Sequence, residues 1–150
     1  MIRDVTFAKT TYQDHPQKFE AGTQDIAGVV GLGAAVDYLL GLGLPAIAAY
    51  EHSLLEYATS ALAEIKGLRP IGTAAAKASV LSFVLDGYAP EDVGKHLDRH
   101  GIAVRSGHHC AQPALRRFGL QSTVRPSLAF YNTREEIDAL VRALHLLRRR

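Results

Sequence analysis

This sequence has a single cysteine among its 150 residues. That excludes an internal disulfide framework and favours a reducing compartment. The net charge of +2 is too small to indicate a nucleic acid or an anionic membrane as a partner. The first residues lack a signal-peptide pattern, and the chain has no internal repeat and no low-complexity segment. We therefore expect a cytoplasmic globular protein of one domain, or one domain with an additional arm.

One stretch has the apolar character of a membrane span, because Asp37 is the only charged residue between positions 26 and 49. Five glycines and Pro45 interrupt this stretch and no basic residues flank it, so we do not expect it to cross a membrane. A helix that is apolar on nearly every side is otherwise buried all round. In so short a chain, this pattern predicts burial against something outside the sequence.

Hydrophobic periodicity predicts a strand at 2–7, an irregular segment at 8–22 and helices at 26–40 and 46–66. From Leu68 onward the predicted order is β-β-α-β-α-β-α, with strands at 68–71, 79–85, 102–105 and 124–131 and helices at 90–99, 113–118 and from 133. Pro126 predicts that the last strand lies at an edge or contains a bulge. Thr133 followed by Glu136 is a capping box.

These elements predict an α/β sandwich of the α+β type, in which helices cover one face of a mostly antiparallel sheet. Residues 46–150 form this small domain. Residues 1–45 do not belong naturally to it and are interpreted as the edge of another domain with a connecting helix. The arginines at 148–150 predict a solvated helix end.

The strongest functional signal is Cys110 in the segment 105–113, RSGHHCAQP. A thiol reacts as the thiolate, and Arg105, His108 and His109 can supply positive charge beside it. Pro113 suits the first turn of a helix, whose amides would also stabilise an anion. We therefore predict a reactive cysteine rather than a buried structural one.

Two other interpretations of this segment are weaker. A metal site is disfavoured because three consecutive residues rarely converge on one ion and the chain has no second cysteine or spaced Cys/His pair. A protease-like Cys–His pair is geometrically possible, but it would need an orienting third group that the spacing does not indicate.

Arg125 and the segment 19–23, FEAGT, are further candidates. Pro126 favours extended geometry at Arg125, where an arginine can hold a carboxylate by two parallel hydrogen bonds, although an exposed ion pair is commoner. The segment 19–23 precedes a helix and suits a phosphate, although an ordinary N-cap is commoner. The glycines that follow do not form a G-x-G-x-x-G turn after a strand, so we reject a dinucleotide fingerprint.

The segment 101–113, GIAVRSGHHCAQP, closely resembles the active-site cysteine loop of cysteine desulfurases, specifically the group II, SufS-like branch of the class V aminotransferase family. The resemblance extends through 124–138, VRPSLAFYNTREEID, and 19–23, so it spans nearly the whole chain. It implies that Cys110 is the nucleophile that becomes a persulfide and that Arg125 holds the substrate α-carboxylate. Arg105 and His108 then line the substrate pocket.

The same resemblance implies that Thr23, with Gly22, reaches across a homodimer to the cofactor phosphate of the other subunit. The cofactor would be pyridoxal phosphate, and the chain would be the small C-terminal domain of a fold-type I enzyme. The substrate would be L-cysteine, converted to L-alanine. The sulfur would pass to a SufE- or SufU-like acceptor protein for iron–sulfur cluster assembly.

The resemblance also implies that the cofactor lysine lies in a large N-terminal domain, and none of the five lysines here sits in such a motif. We therefore expect the chain alone to be inactive. Two alternatives stay open: a non-catalytic module that carries a persulfide or binds a partner, and a selenocysteine lyase activity.

Overall fold

The computed structural model describes residues 1–147, so the arginines at 148–150 lie outside it. The chain divides into two compact units, one formed by Met1–Leu44 and the other beginning at Pro45. The first unit contains strands β1 (Ile2–Val5) and β2 (Thr10–Tyr12), which pair antiparallel, and helix α1 (Ile26–Leu42). The prediction that 8–22 is wholly irregular is wrong, because a turn closed by Thr6 and Lys9 returns the chain as β2.

Helix α1 begins where the Asp25 side chain accepts a hydrogen bond from the Gly28 amide at 3.0 Å, and it ends at Gly43, whose φ is 86°. None of its residues is buried within this chain. Its most exposed large apolar side chains are 61–68% exposed: Ile26, Val29, Val30, Leu32, Tyr38 and Leu40. Among the described residues no single helix is both long and apolar enough to span a membrane, and only α1 joined with the next helix would meet that requirement.

The second unit is a four-stranded sheet with helices. Its strand order is β3-β4-β6-β5 and every neighbouring pair is antiparallel. This confirms the predicted α/β class with an antiparallel sheet. The elements are α2 (Leu44–Ala63), β3 (Leu68–Pro70), β4 (Phe83–Leu85), α3 (Pro90–Asp98), β5 (Arg105–Gly107), α4 (Gln112–Arg117), β6 (Thr123–Arg125) and α5 (Arg134–Leu147).

The strands differ from the prediction both in their position in the sheet and in their bounds. Of the two alternatives for the predicted strand that contains Pro126, an edge position or a bulge, the edge position is wrong, because β6 lies between β4 and β5. The strand ends at Arg125, since Pro126 has no amide hydrogen, and pairing resumes as an isolated bridge between Val80 and Ser127. Ile102 and Val104 precede β5 and pack against the core rather than joining the ladder, so the apolar pattern there reflects packing and not strand pairing.

The two faces of the sheet have different roles. Phe83 and Leu85 point to one face of β4, and Val124 of β6 lies opposite Phe83 on the same face. These side chains form one core with buried residues of α2, α3 and α5. Because side chains alternate along a strand, Thr123 and Arg125 point to the opposite face.

Helix α3 approaches β5 closely at Gly94. A Cβ built at Gly94 would lie 2.7 Å from the Ser106 hydroxyl and 3.1 Å from the Ser106 Cβ. Ser106 pairs with Val124, so it faces the core side of the sheet, where α3 packs. Glycine at position 94 therefore lets the helix rest directly on the strand.

We predict that Gly94→Ala lowers the free energy of unfolding. Alanine in a helix interior is normally better than glycine by about 0.5–1 kcal/mol, but overpacking here costs about 1–3 kcal/mol. Urea unfolding followed by circular dichroism measures the difference. Ser106→Gly in the same chain should recover most of the loss. Gly33→Ala is the control: a Cβ there meets nothing within 4 Å, so alanine should stabilise the helix. If Gly94→Ala alone also stabilises the protein, the close approach of α3 to β5 is wrong.

The capping box before α5 is confirmed. The Thr133 amide donates to Glu136 Oε2 at 3.0 Å, and the Glu136 amide donates to the Thr133 hydroxyl at 3.4 Å. Asn132 also donates to Glu136 Oε2, at 2.9 Å. The hydrogen bond from Asn132, which has the larger effect, and that from the Thr133 amide lower the pKa of the Glu136 carboxyl group.

We predict that Glu136→Gln makes stability less dependent on pH in the acidic range. A carboxyl whose pKa is lower in the folded state stabilises the fold above its unfolded pKa of about 4.3, and this contribution disappears as the pH falls through the lower folded value. The difference in free energy of unfolding between native chain and variant should therefore shrink on acidification. Glu64→Gln, on the exposed surface of the same unit, is the control. An equal slope for all three proteins would contradict the prediction.

Candidate active site

The short ladder between β5 and β6 places two arginines opposite each other. Arg105 pairs with Arg125, and Gly107 pairs with Thr123, on the face away from the helices. Directly opposed like charges destabilise a strand pair unless something compensates them. The Nε atom of Arg125 is buried and has no hydrogen-bond partner among the described residues. This pair of cations is therefore suited to an anion.

Cys110 follows β5 in a tight turn. It is exposed, and Arg105 Nη2 lies 3.5 Å from its sulfur, within donating range. The Cys110 amide donates to His108 Nδ1 at 3.0 Å. Both His109 and Cys110 have positive φ, at 55° and 57°. A left-handed conformation costs a non-glycine residue about 1–2 kcal/mol, so other contacts must offset it.

His109 is anchored away from the thiol. Its Nε2 donates to the Thr123 carbonyl oxygen at 3.1 Å and approaches the Thr123 hydroxyl at 2.8 Å. Burial and, next, the charge of Arg125 lower the pKa of His109. These effects favour the neutral form of His109 and so weigh against the expectation that it supplies positive charge to Cys110.

Thr123 is a site residue that the sequence analysis missed. It is fully buried, and its hydroxyl lies 2.6 Å from that of Ser82. A threonine two positions before Arg125, on the same face, carries no distinctive sequence pattern. Only the antiparallel register could have indicated that it faces the cysteine loop.

The structure brings Arg105, His108 and Cys110 into direct contact and puts Arg125 on the neighbouring strand. Of these residues, His108 alone lines a cleft of about 600 Å³, whose other lining residues are Glu91, Gly107, Gln112, Arg116, Leu120, Gln121 and Ser122. A second cleft, of about 620 Å³, lies between α2 and the sheet. Within residues 1–147, no three His, Cys, Asp or Glu side chains gather as a metal site would require.

The family model described as aminotransferase class V matches residues 1–140. The chain belongs to this family. Among curated relatives, the cysteine desulfurase of Synechococcus elongatus is 65% identical over 96% of this chain, which spans 23% of that protein. The cysteine desulfurase of Dickeya dadantii is 47% identical over 99% of this chain, which spans 36% of it. The chain thus covers a minor part of these relatives.

Solved structures of class V enzymes resemble this fold. A cysteine desulfurase of Escherichia coli superposes with a TM-score of 0.85 at 38% identity, over 99% of this chain and 37% of that one. The apo cysteine desulfurase of Thermococcus onnurineus gives a TM-score of 0.84 at 38% identity, over 97% of this chain and 37% of that one.

Gly22 and Thr23 lie in the first unit, exposed, just before α1. Gly22 has a φ of 79°, a conformation natural only to glycine. The Ile26 and Gly28 amides already donate to the chain's own Gln24 carbonyl and Asp25 carboxylate. A cofactor phosphate would therefore fit the Thr23 hydroxyl and the loop amides rather than the start of α1.

We predict that Arg105 speeds alkylation of Cys110 by anions. The native chain should react with iodoacetate and iodoacetamide without denaturant, because the thiol is exposed. Arg105→Gln should lower the iodoacetate rate relative to the iodoacetamide rate by about twofold to fivefold, the size expected for a solvent-exposed charge. Arg69→Gln, on the distant strand β3, is the control. A ratio unchanged by Arg105→Gln would refute the contact.

Proposed function

We propose that this chain is the C-terminal part of a group II, SufS-like cysteine desulfurase, in which Cys110 takes sulfur from L-cysteine. The observation that carries the proposal is the exposed Cys110 thiol, 3.5 Å from Arg105, on a loop next to Arg125, whose buried Nε has no hydrogen-bond partner among the described residues. The similarity to named cysteine desulfurases over nearly the whole chain supports it.

In this proposal Arg125 binds the α-carboxylate of L-cysteine. Its buried Nε lacks an acceptor, and an arginine can meet a carboxylate with two parallel hydrogen bonds. Arg105, directly opposite, favours the same anion by its charge and also faces the Cys110 sulfur. The substrate is thereby oriented with its side-chain sulfur toward the nucleophile.

Cys110 then attacks the substrate sulfur as a thiolate. A sulfur–sulfur bond forms while the carbon–sulfur bond of L-cysteine breaks, and the carbon skeleton gains a proton and leaves as L-alanine. Cys110 ends as a persulfide, one sulfur richer, with no external oxidant or reductant consumed. The exposure of Cys110 suits the next step, because an acceptor thiol must reach the persulfide from outside.

Pyridoxal phosphate, when bound in the complete enzyme, would supply the electron sink that labilises the substrate. Thr23 and Gly22 would contact its phosphate from across a homodimer. The described residues place no lysine in hydrogen-bonding contact with the cysteine loop or in the lining of its adjoining cleft. The Schiff-base lysine would therefore come from outside this chain, and the chain alone would be inactive.

The same proposal includes partners and location. The exposed apolar surface of α1 supports burial against the rest of the enzyme or a second subunit. A SufE- or SufU-like acceptor would carry the sulfur toward iron–sulfur cluster assembly. The single thiol fits a cytoplasmic setting.

A chimera tests the function. This chain replaces the matching part of the Dickeya dadantii enzyme, to which it is 47% identical, and alanine release from L-cysteine is measured with pyridoxal phosphate and a reducing thiol. We expect alanine production, and mass spectrometry of the Cys110 peptide should show one added sulfur before reduction.

Cys110→Ser and Arg125→Gln are the informative variants of this chimera. Removing the nucleophile should abolish sulfur transfer, whereas Arg125→Gln should raise KM for L-cysteine by about tenfold or more, the effect of losing a bidentate ionic contact. Alanine release by the isolated chain would contradict its proposed dependence on a second domain. A folded chimera without alanine release, whose Cys110 still accepts sulfur from a persulfide donor, would favour the non-catalytic carrier instead.

A further inference from the structure

The turn that presents Cys110 needs an explanation. His109 and Cys110 are consecutive non-glycine residues in the left-handed region, at φ 55° and 57°. Their loop leaves β5, an edge strand that pairs only with β6. An edge strand of three residues is a weak support for such a strained turn. Something beyond β5 must hold the loop.

Hydrogen bonds from the loop to β6, and from β6 to the residue before β4, provide that support. His109 Nε2 lies 3.1 Å from the Thr123 carbonyl oxygen and 2.8 Å from the Thr123 hydroxyl. The Thr123 hydroxyl lies 2.6 Å from that of Ser82, the residue just before β4. Thr123 is 0% exposed, so water does not compete for these bonds. The tip of the loop is thus tied to the two interior strands.

The same bonds fix the proton on the histidine ring. A carbonyl oxygen can only accept, so Nε2 of His109 must donate and therefore holds the hydrogen. In the neutral ring, which burial favours by lowering the pKa of His109, Nδ1 then has no hydrogen, and it is buried with no partner among the described residues. Among the described residues, the His109 ring therefore forms hydrogen bonds with Thr123 and none with the Cys110 sulfur. The donor to that sulfur is Arg105.

We propose that His109, Thr123 and Ser82 form a positioning chain that holds Cys110 in its left-handed turn beside Arg105. The proposal rests on the proposed function in that Cys110 is the sulfur-accepting residue. Among the described residues, none of the three forms a hydrogen bond with the Cys110 sulfur, so they are positioning residues. His109 then acts as an anchor, and a protease-like Cys110–His109 pair is excluded.

The test uses the whole 150-residue chain and the iodoacetate-to-iodoacetamide rate ratio at Cys110. Thr123→Val keeps the shape of the side chain and removes the hydroxyl, whereas Thr123→Ser keeps the hydroxyl. In Thr123→Val the ratio should fall to within about twofold of the Arg105→Gln value, since the sulfur no longer sits beside that charge. Thr123→Ser should keep the rate ratio of the native chain. Ser82→Ala should lower the ratio less, with Ser60→Ala as the exposed-serine control.

Nitrogen NMR of isotope-labelled histidines provides a second readout that general destabilisation would not move. His109 should show the Nε2–H tautomer in the native chain and in Thr123→Ser, and its Nε2 resonance should shift in Thr123→Val, where only the backbone carbonyl remains as an acceptor. The proposal is overturned if His109 is the Nδ1–H tautomer, or if Thr123→Val lowers the melting temperature while leaving the rate ratio unchanged.

These outcomes are separable from the fate of the proposed function. A chimera that releases no alanine, with the ratio and tautomer as expected, would refute the desulfurase activity and retain the anchoring of Cys110. An active chimera with an unaffected Thr123→Val ratio would refute only the positioning chain.

Discussion

The pairing of β5 with β6 is the interaction on which the site depends. Three residue pairs, Arg105–Arg125, Ser106–Val124 and Gly107–Thr123, fix the edge strand from which the cysteine loop departs. On the core face, α3 packs at Gly94 against the Ser106 side chain of this strand. On the other face, His109 returns to Thr123. The strand is thus held from both sides, which allows a strained turn to follow it.

The electrostatics of the site follow from the same register. Antiparallel pairing puts Arg105 and Arg125 opposite each other, and among residues 1–147 neither forms an ion pair with a carboxylate. Two unneutralised cations repel each other, and together they create a field that favours a bound anion. A third charge would add to the repulsion, and the lowered pKa of His109 avoids it. Neutral His109 can therefore serve as an anchor where a charged ring would be disfavoured.

The sequence predicted most of the elements because their signals are local. Two predictions concerned single helical turns: the capping box at Thr133 and Glu136, and the proline at the start of α4. The structure confirms both. The interior position of β6 was not predictable in this way, because the strand order depends on contacts between distant segments. The contacts of Thr123 were missed for the same reason. A motif identified Cys110, whereas the residues that position it are specified by register.

The two units differ in how far they support themselves. The second unit contains a complete core, with buried side chains from α2, α3, α5 and the sheet, whereas α1 in the first unit buries none of its residues. The thiol and both arginines belong to the self-supporting unit, and the phosphate-binding candidates Gly22 and Thr23 belong to the other. The two sets of candidate residues therefore differ in how much hydrophobic burial stabilises the unit that holds them. The contacts that position Cys110 are provided by the chain itself, whereas α1, which follows Gly22 and Thr23, leaves its apolar surface exposed within this chain.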